Sequence, residues 1–149
     1  MSDGSEPIRP HTSGGHSLLN QSLILVAEDE PFIALDVSLA IEDAGGLVAG
    51  PAASVKEALA LIETVPIVAA ILDLNLSDGD SSPVLEQLLL AGIPTILQSG
   101  VSLPGDLSER FPELVVHIKP CDSARLVAQI AALITNTGLA AGKTAGPLP

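Results

Sequence analysis

The feature that most constrains this chain is a rhythm: short apolar runs alternate with stretches whose apolar residues recur at helical spacing, between residues 22 and 136. Such alternation marks successive βα units folded around a parallel sheet. Leu23–Ala27 (LILVA) is continuously apolar, as a strand buried on both faces requires. Pro31 suits the first turn of a helix whose Ile33, Val37, Ala40, Ile41 and Ala44 share one face, and Gly45–Gly46 ends it. Leu47–Ala49 reads as a second strand, with Pro51 at its end suiting a sheet edge. Ser54 and Glu57 form a capping box for a helix with Val55, Ala58, Leu59 and Ile62 inward. Ile67–Leu72, Thr95–Leu97 and Leu114–Ile118 supply strands three to five. Ser82 is expected as the N-cap of a helix with Pro83 at its first position and Leu85, Leu88 and Leu89 as its stripe. Asp122 is expected to cap the last helix, with Leu126, Ile130, Leu133 and Ile134 inward. Between residues 100 and 113 only a short or mobile helix fits, with the Gly-rich 100–106 stretch as the natural mobile element. The expected fold class is α/β, a (βα)5 doubly wound, five-stranded parallel sheet.

Composition narrows what such a domain does. Eighteen Asp and Glu against six Lys and Arg give a net charge of −12 in 149 residues, which repels a phosphate backbone. Two Phe and no Tyr or Trp leave no stacking platform for bases. Nucleic acid and anionic membrane surfaces are therefore not expected as partners. The single Cys121 rules out an internal disulfide and is expected to serve packing. The first residues hold no apolar signal-peptide core, and the uncharged stretches 87–105 and 126–142 are broken by Gly, Pro or polar residues, so a cytoplasmic protein is expected. Residues 1–21 read as a flexible arm, 22–136 as the domain, and 137–149 as a flexible tail.

Chemistry concentrates where strands end, which in an open α/β sheet is where ligands bind. Strand one runs into Glu28–Asp29, strand three into Asp73, strand four into Gln98–Ser99 and strand five into Lys119. Three carboxylates converging on one rim resist ionising together. Lys119 offsets one charge, and a divalent ion would offset two more. All-oxygen ligation with few protein ligands suits Mg²⁺. A carboxylate beside Mg²⁺ and Lys is a competent nucleophile toward phosphorus, and a Ser hydroxyl can donate to the transferring group. The constellation reads as a phosphoacceptor site.

ILVAEDEP, then AAILDLNL with Asp73 44 positions after Asp29, then TILQSG and IKP, resemble the receiver domain of bacterial two-component response regulators over roughly residues 23–136. The resemblance implies a flavodoxin-like sheet of strand order 2-1-3-4-5. It implies that Asp73 accepts a phosphoryl group from a histidine kinase or histidine phosphotransfer protein. Asp29 and Asp73 would ligate Mg²⁺ with the Asn75 main-chain carbonyl, while Glu28 acts mostly through water. Ser99 matches the switch hydroxyl and Lys119 the site lysine. A downstream partner is expected at the face of strand four, strand five and the last helix.

Departures from the family pattern bear on output. The Pro and Gly common four and eight residues after the acceptor are here Ser77 and Ser81, and the switch-aromatic position is Val116. No DNA-binding or enzymatic pattern follows residue 136, so output is expected through protein–protein contact by a stand-alone receiver, a signalling domain and not an enzyme. A phosphate sink or relay shuttle without conformational output is the alternative. An Mg²⁺-dependent phosphatase with an Asp nucleophile fits less well, because it needs a second acid where Asn75 stands. Residues 73–79 echo a calcium loop, but Gly79 falls one position late and Val84 replaces the bidentate Glu. Residues 138–144 echo a P-loop one spacer short and without a preceding strand. His11, His16 and His117 lack zinc-ligand spacing, and His117 is expected near an exposed edge.

Overall fold

A computed structural model describes residues 18–100, 105–112 and 114–145. Among the described residues, five strands form the main sheet: β1 (Leu23–Ala27), β2 (Leu47–Ala52), β3 (Ala69–Asp73), β4 (Thr95–Ser99) and β5 (Val115–Ile118). Five helices alternate with them: α1 (Pro31–Asp43), α2 (Val55–Thr64), α3 (Ser82–Leu90), α4 (Gly105–Arg110) and α5 (Ser123–Ala145). The sheet order is β2-β1-β3-β4-β5 and every pairing is parallel. This is the doubly wound order that the resemblance to receiver domains implies, with its switch point between β1 and β3. The six-residue α4 is the short fourth helix. Most of the 100–106 stretch expected to be mobile lies outside the described residues.

Strand alternation divides the core into two layers. Ile24, Val26, Ile71 and Ile96 face α1 and α5, where they meet Val37, Ile41, Leu126 and Ile130. Leu25, Ala27, Leu72 and Leu97 face the other way, toward Ala58 of α2 and Leu85 and Leu88 of α3. Aliphatic side chains suffice because the central strands are covered on both faces. The Ser123 hydroxyl, donating to the Asp36 carboxylate, ties the start of α5 to α1.

Several local details differ from the sequence reading. β2 continues through Gly50 and Pro51 to Ala52; Pro51 is tolerated because β2 is an edge strand. β3 starts at Ala69, not Ile67, whose N–H turns back to the Val65 carbonyl at 3.0 Å instead of joining the sheet. The N-cap of α3 is Ser81, not Ser82, and Ser81 makes no capping bond. Asp80 does that work, taking both the N–H and the hydroxyl of Ser82. Leu19, placed in the arm, is 2% exposed and packs so tightly on Gly46 that a Cβ there would sit 2.7 Å from it. The boundary at residue 22 therefore lies inside the packed unit. α5 runs on to Ala145, past the boundary at 136. Residues 1–17 and 146–149 of the expected arm and tail lie outside the described residues.

Candidate functional site

The carboxyl ends of β1, β3, β4 and β5 deliver the polar residues to one rim. Glu28 and Asp29 follow β1 directly, Asp73 is the last residue of β3, Ser99 the last of β4, and Lys119 follows β5. The Glu28 N–H donates to the Ala52 carbonyl at 2.9 Å, which holds the turn after β1 against the edge strand. The Glu30 carboxylate then caps α1, accepting from Phe32 N and Ile33 N at 3.0 and 3.3 Å. Carboxylate oxygens of Glu28, Asp29 and Asp73 all lie within 4.8 Å of one another, a spacing at which they could hold one metal ion. Glu28 and Asp73 are buried while Asp29 is exposed, so any cation would enter from the Asp29 side.

Lys119 joins the two buried acids. Its Nζ donates to Glu28 Oε1 at 2.8 Å and to Asp73 Oδ2 at 2.7 Å. Burial pushes the Glu28 carboxyl above its usual range, against the pull of the Lys119 ammonium and the Glu30 N–H; the neighbouring Asp73 pushes the same way as burial. Burial works to lower the Lys119 ammonium, but hydrogen bonds to Asp73 and Glu28 outweigh it and hold the group above its ordinary value. Three carboxylates face a single ammonium, so the site is short of positive charge.

The other sequence-selected residues fall nearby. The Asn75 N–H donates to Asp73 Oδ1 at 3.3 Å, so Asp73 is approached by a donor on each oxygen. Ser99 is buried next to the strand bearing Asp73, and its carbonyl accepts the Lys119 N–H at 2.8 Å. Val116 pairs with Leu97 below the rim and packs on the α2–α3 layer as an ordinary core aliphatic. His117 is half-buried on the edge strand β5. Burial pushes the Cys121 thiol up, and its Sγ donates to the Ile118 carbonyl at 3.3 Å, a packed thiol.

Three features escaped the sequence reading. Residues 75–80 form a small hairpin, Asn75 pairing with Asp80 and Leu76 with Gly79. Asp78, at its tip, accepts from Val55 N and Lys56 N at 2.6 and 3.2 Å, which holds its carboxyl below the usual range. The calcium-loop likeness of residues 73–79 therefore dissolves, since Asp78 serves the N-terminus of α2. Gln98, opposite Asp73 in register, is 2% exposed and its Nε2 has no partner. On the outer face of α1, Phe32, Leu35 and Leu39 are exposed at 80%, 54% and 54%, an apolar stripe starting beside the rim.

Comparison with known proteins converges on one family. No family model matches the sequence, and no curated protein does. Solved structures match strongly. SdrG from Sphingomonas melonis Fr1 is 35% identical over 75% of this chain and 96% of its own, with a TM-score of 0.63. The response regulator PhyR from Brucella abortus is 26% identical with a TM-score of 0.69; the match covers 95% of this chain but only 58% of PhyR. A CheY-like receiver domain protein from Methanospirillum hungatei JF-1 has a TM-score of 0.72 at 23% identity, over 80% of this chain and 98% of its own. This chain belongs to the response regulator receiver domains. As a receiver it is a signalling domain. It spans a little over half of PhyR. Among the described residues of this receiver, no helix is long and apolar enough to cross a membrane.

Proposed function

We propose that this receiver accepts a phosphoryl group from a phosphohistidine onto Asp73, with Mg²⁺ bound, and conveys its state by protein–protein contact in the cytoplasm. One observation carries the reading: three carboxylates within 4.8 Å, two of them bridged by a single lysine. All-oxygen donors with uncompensated negative charge fit a hard divalent cation. Glu28, Asp29 and Asp73, with the Asn75 main-chain carbonyl, would hold it. When bound, the ion supplies positive charge against the phosphoryl oxygens. An Asp73 carboxylate oxygen attacks phosphorus, and the P–N bond to the donor imidazole breaks with its electron pair returning to that nitrogen. Lys119 Nζ, already on Asp73 Oδ2, and the Ser99 hydroxyl are the donors for the transferred group. The unit that performs this is residues 22–136, with the Leu18–Gln21 turn joined to it through Leu19.

The partner supplying the phosphoryl group must bring its histidine to the rim, and the stripe of Phe32, Leu35 and Leu39 lies beside that approach. Phe32→Asp should slow transfer from a phosphorylated histidine kinase about tenfold while leaving uptake from acetyl phosphate unchanged. Equal effects on both donors would remove α1 from partner docking. The acceptor itself is tested by intact mass after incubation with acetyl phosphate, with and without Mg²⁺, on wild type and Asp73→Ala. A single adduct requiring both Mg²⁺ and Asp73 is expected. An adduct that survives Asp73→Ala would exclude Asp73 as the acceptor.

Val116 favours a second reading, a phosphate sink or relay shuttle. With no ring at that position, coupling of the Ser99 hydroxyl to an aromatic rotamer has no carrier. A downstream partner binding phosphorylated and free forms equally would favour the shuttle; a tenfold difference, near 1.4 kcal/mol, would favour a switching output.

A further inference from the structure

We propose that Asp78 is a positioning residue: by tying the hairpin after β3 to the N-terminus of α2, it holds Asn75 and Asp73 in the arrangement that receives a divalent cation. The inference rests on the phosphoacceptor reading above and adds to it a residue outside the rim.

The hairpin carries Asn75 at its first position, two residues from Asp73, so whatever orders the hairpin orders the Asn75 main chain. Nothing covalent stiffens it, since no proline lies between Asp73 and Ser82. Gly79 adopts φ +139° at the end of the turn, a conformation open to glycine. Hydrogen bonds take the place of stiffness. At the base, the Leu74 N–H donates to the Gln98 carbonyl at 2.9 Å and the Ser81 N–H to the Leu74 carbonyl at 2.8 Å. At the tip, the Ser77 N–H donates to the Ala53 carbonyl at 3.0 Å, and the Asp78 carboxylate takes the Val55 and Lys56 N–H groups. The hairpin is thus pinned at both ends, and the outer pin is charge-assisted at the positive end of a helix dipole.

α2 does not depend on Asp78 alone for its cap. A helix begins with four N–H groups that lack intrahelical partners in the helix proper. In α2, the Ser54 hydroxyl takes Glu57 N at 3.0 Å and Asp78 takes Val55 N and Lys56 N, while the first intrahelical bond runs from Ala58 N to the Ser54 carbonyl at 3.1 Å. Glu57 reaches back to Ala53 N at 2.8 Å. Ser54 and Asp78 therefore cap the same helix end, but only Asp78 belongs to the hairpin. That difference separates a helix cap from a positioning role.

The test compares Asp78→Ala with Ser54→Ala in the full chain, each checked for a retained cooperative melt. Amide exchange over residues 75–80, measured without metal, should quicken about tenfold in Asp78→Ala and stay at the wild-type rate in Ser54→Ala. Calorimetric titration with MgCl₂ should show the Mg²⁺ dissociation constant rising about tenfold in Asp78→Ala and within twofold of wild type in Ser54→Ala. Unchanged exchange in Asp78→Ala would overturn the clamp. Faster exchange with unchanged Mg²⁺ affinity would overturn the positioning role, as would equal losses in both variants. Failure of the wild type itself to take up Mg²⁺ is a different result, and it would overturn the phosphoacceptor reading together with this one.

Discussion

The interior of the sheet and its carboxyl rim are made by the same strands, yet they answer opposite demands. Ile71 and Leu72 of β3 are fully excluded from water and need only aliphatic neighbours of the right shape, which the two core layers supply. One residue further on, Asp73 is 6% exposed and needs a charged partner, which arrives from Lys119, 46 positions away. Glu28 repeats the pattern at the end of β1, where Val26 and Ala27 are fully excluded and the acid that follows is 2% exposed. Stability and chemistry are thus separated by a single residue along each central strand. The floor is satisfied as it stands, whereas the rim carries more negative charge than its one lysine offsets.

The strongest way to break this division is at its boundary. Asp73→Ala should abolish phosphoryl uptake, read by intact mass, while the melting temperature in metal-free buffer holds or rises because one of three clustered carboxylates is gone. A large loss of stability would show that the rim also carries the fold. Ile71→Ala, two residues earlier, should cost about 2–5 kcal/mol in urea unfolding through the lost methyl groups and the cavity left in the α1–α5 layer. Its phosphoryl uptake under native conditions should remain.

Glu28 gives a smaller effect with a sign that can be checked. Its folded value is raised above the ordinary 4.5, so the folded chain binds this proton more tightly than the unfolded chain does. Its contribution to stability is fully present below 4.5 and is lost as pH rises through the raised value. Lys119, also raised, loses its contribution only above 10.5 and does not enter this window. In metal-free buffer the difference in unfolding free energy between wild type and Glu28→Gln should therefore shift against the wild type from pH 4.5 upward. A pH-independent difference would place the burial effect elsewhere. The smallest effect is expected at Gln98, whose Nε2 is buried without a partner beside Asp73. Gln98→Leu should gain about 1 kcal/mol by removing an unsatisfied donor. A loss of stability there would reveal a partner for the amide in solution.

Much of the molecule was legible before folding. The apolar runs located all five strands, because a strand covered on both faces must be apolar at every position. Their polar terminal residues located Glu28, Asp29, Asp73, Ser99 and Lys119, because β-strands advance in register and in a parallel sheet all end on one side. The capping box at Ser54 and Glu57 was half right. Ser54 takes Glu57 N, but the Glu57 carboxylate reaches Ala53 and not Ser54. At α3 the sequence reading puts the cap at Ser82, one residue late: the N-cap is Ser81, and the Asp80 carboxylate takes the N–H and hydroxyl of Ser82 itself.

By itself, then, the sequence determined the class of fold, the alternation of its elements and the residues reaching the rim, because each follows from short-range periodicity and from the polarity of neighbouring positions. Only the tertiary structure decided which acids are buried, that one lysine serves two of them, that Leu19 belongs to the core, and that Asp78 leaves the calcium-like loop to cap α2. These are contacts across 91, 46 and 23 residues of chain at Glu28, Asp73 and Asp78. No local pattern encodes such contacts, since burial and pairing depend on what the folded chain brings alongside.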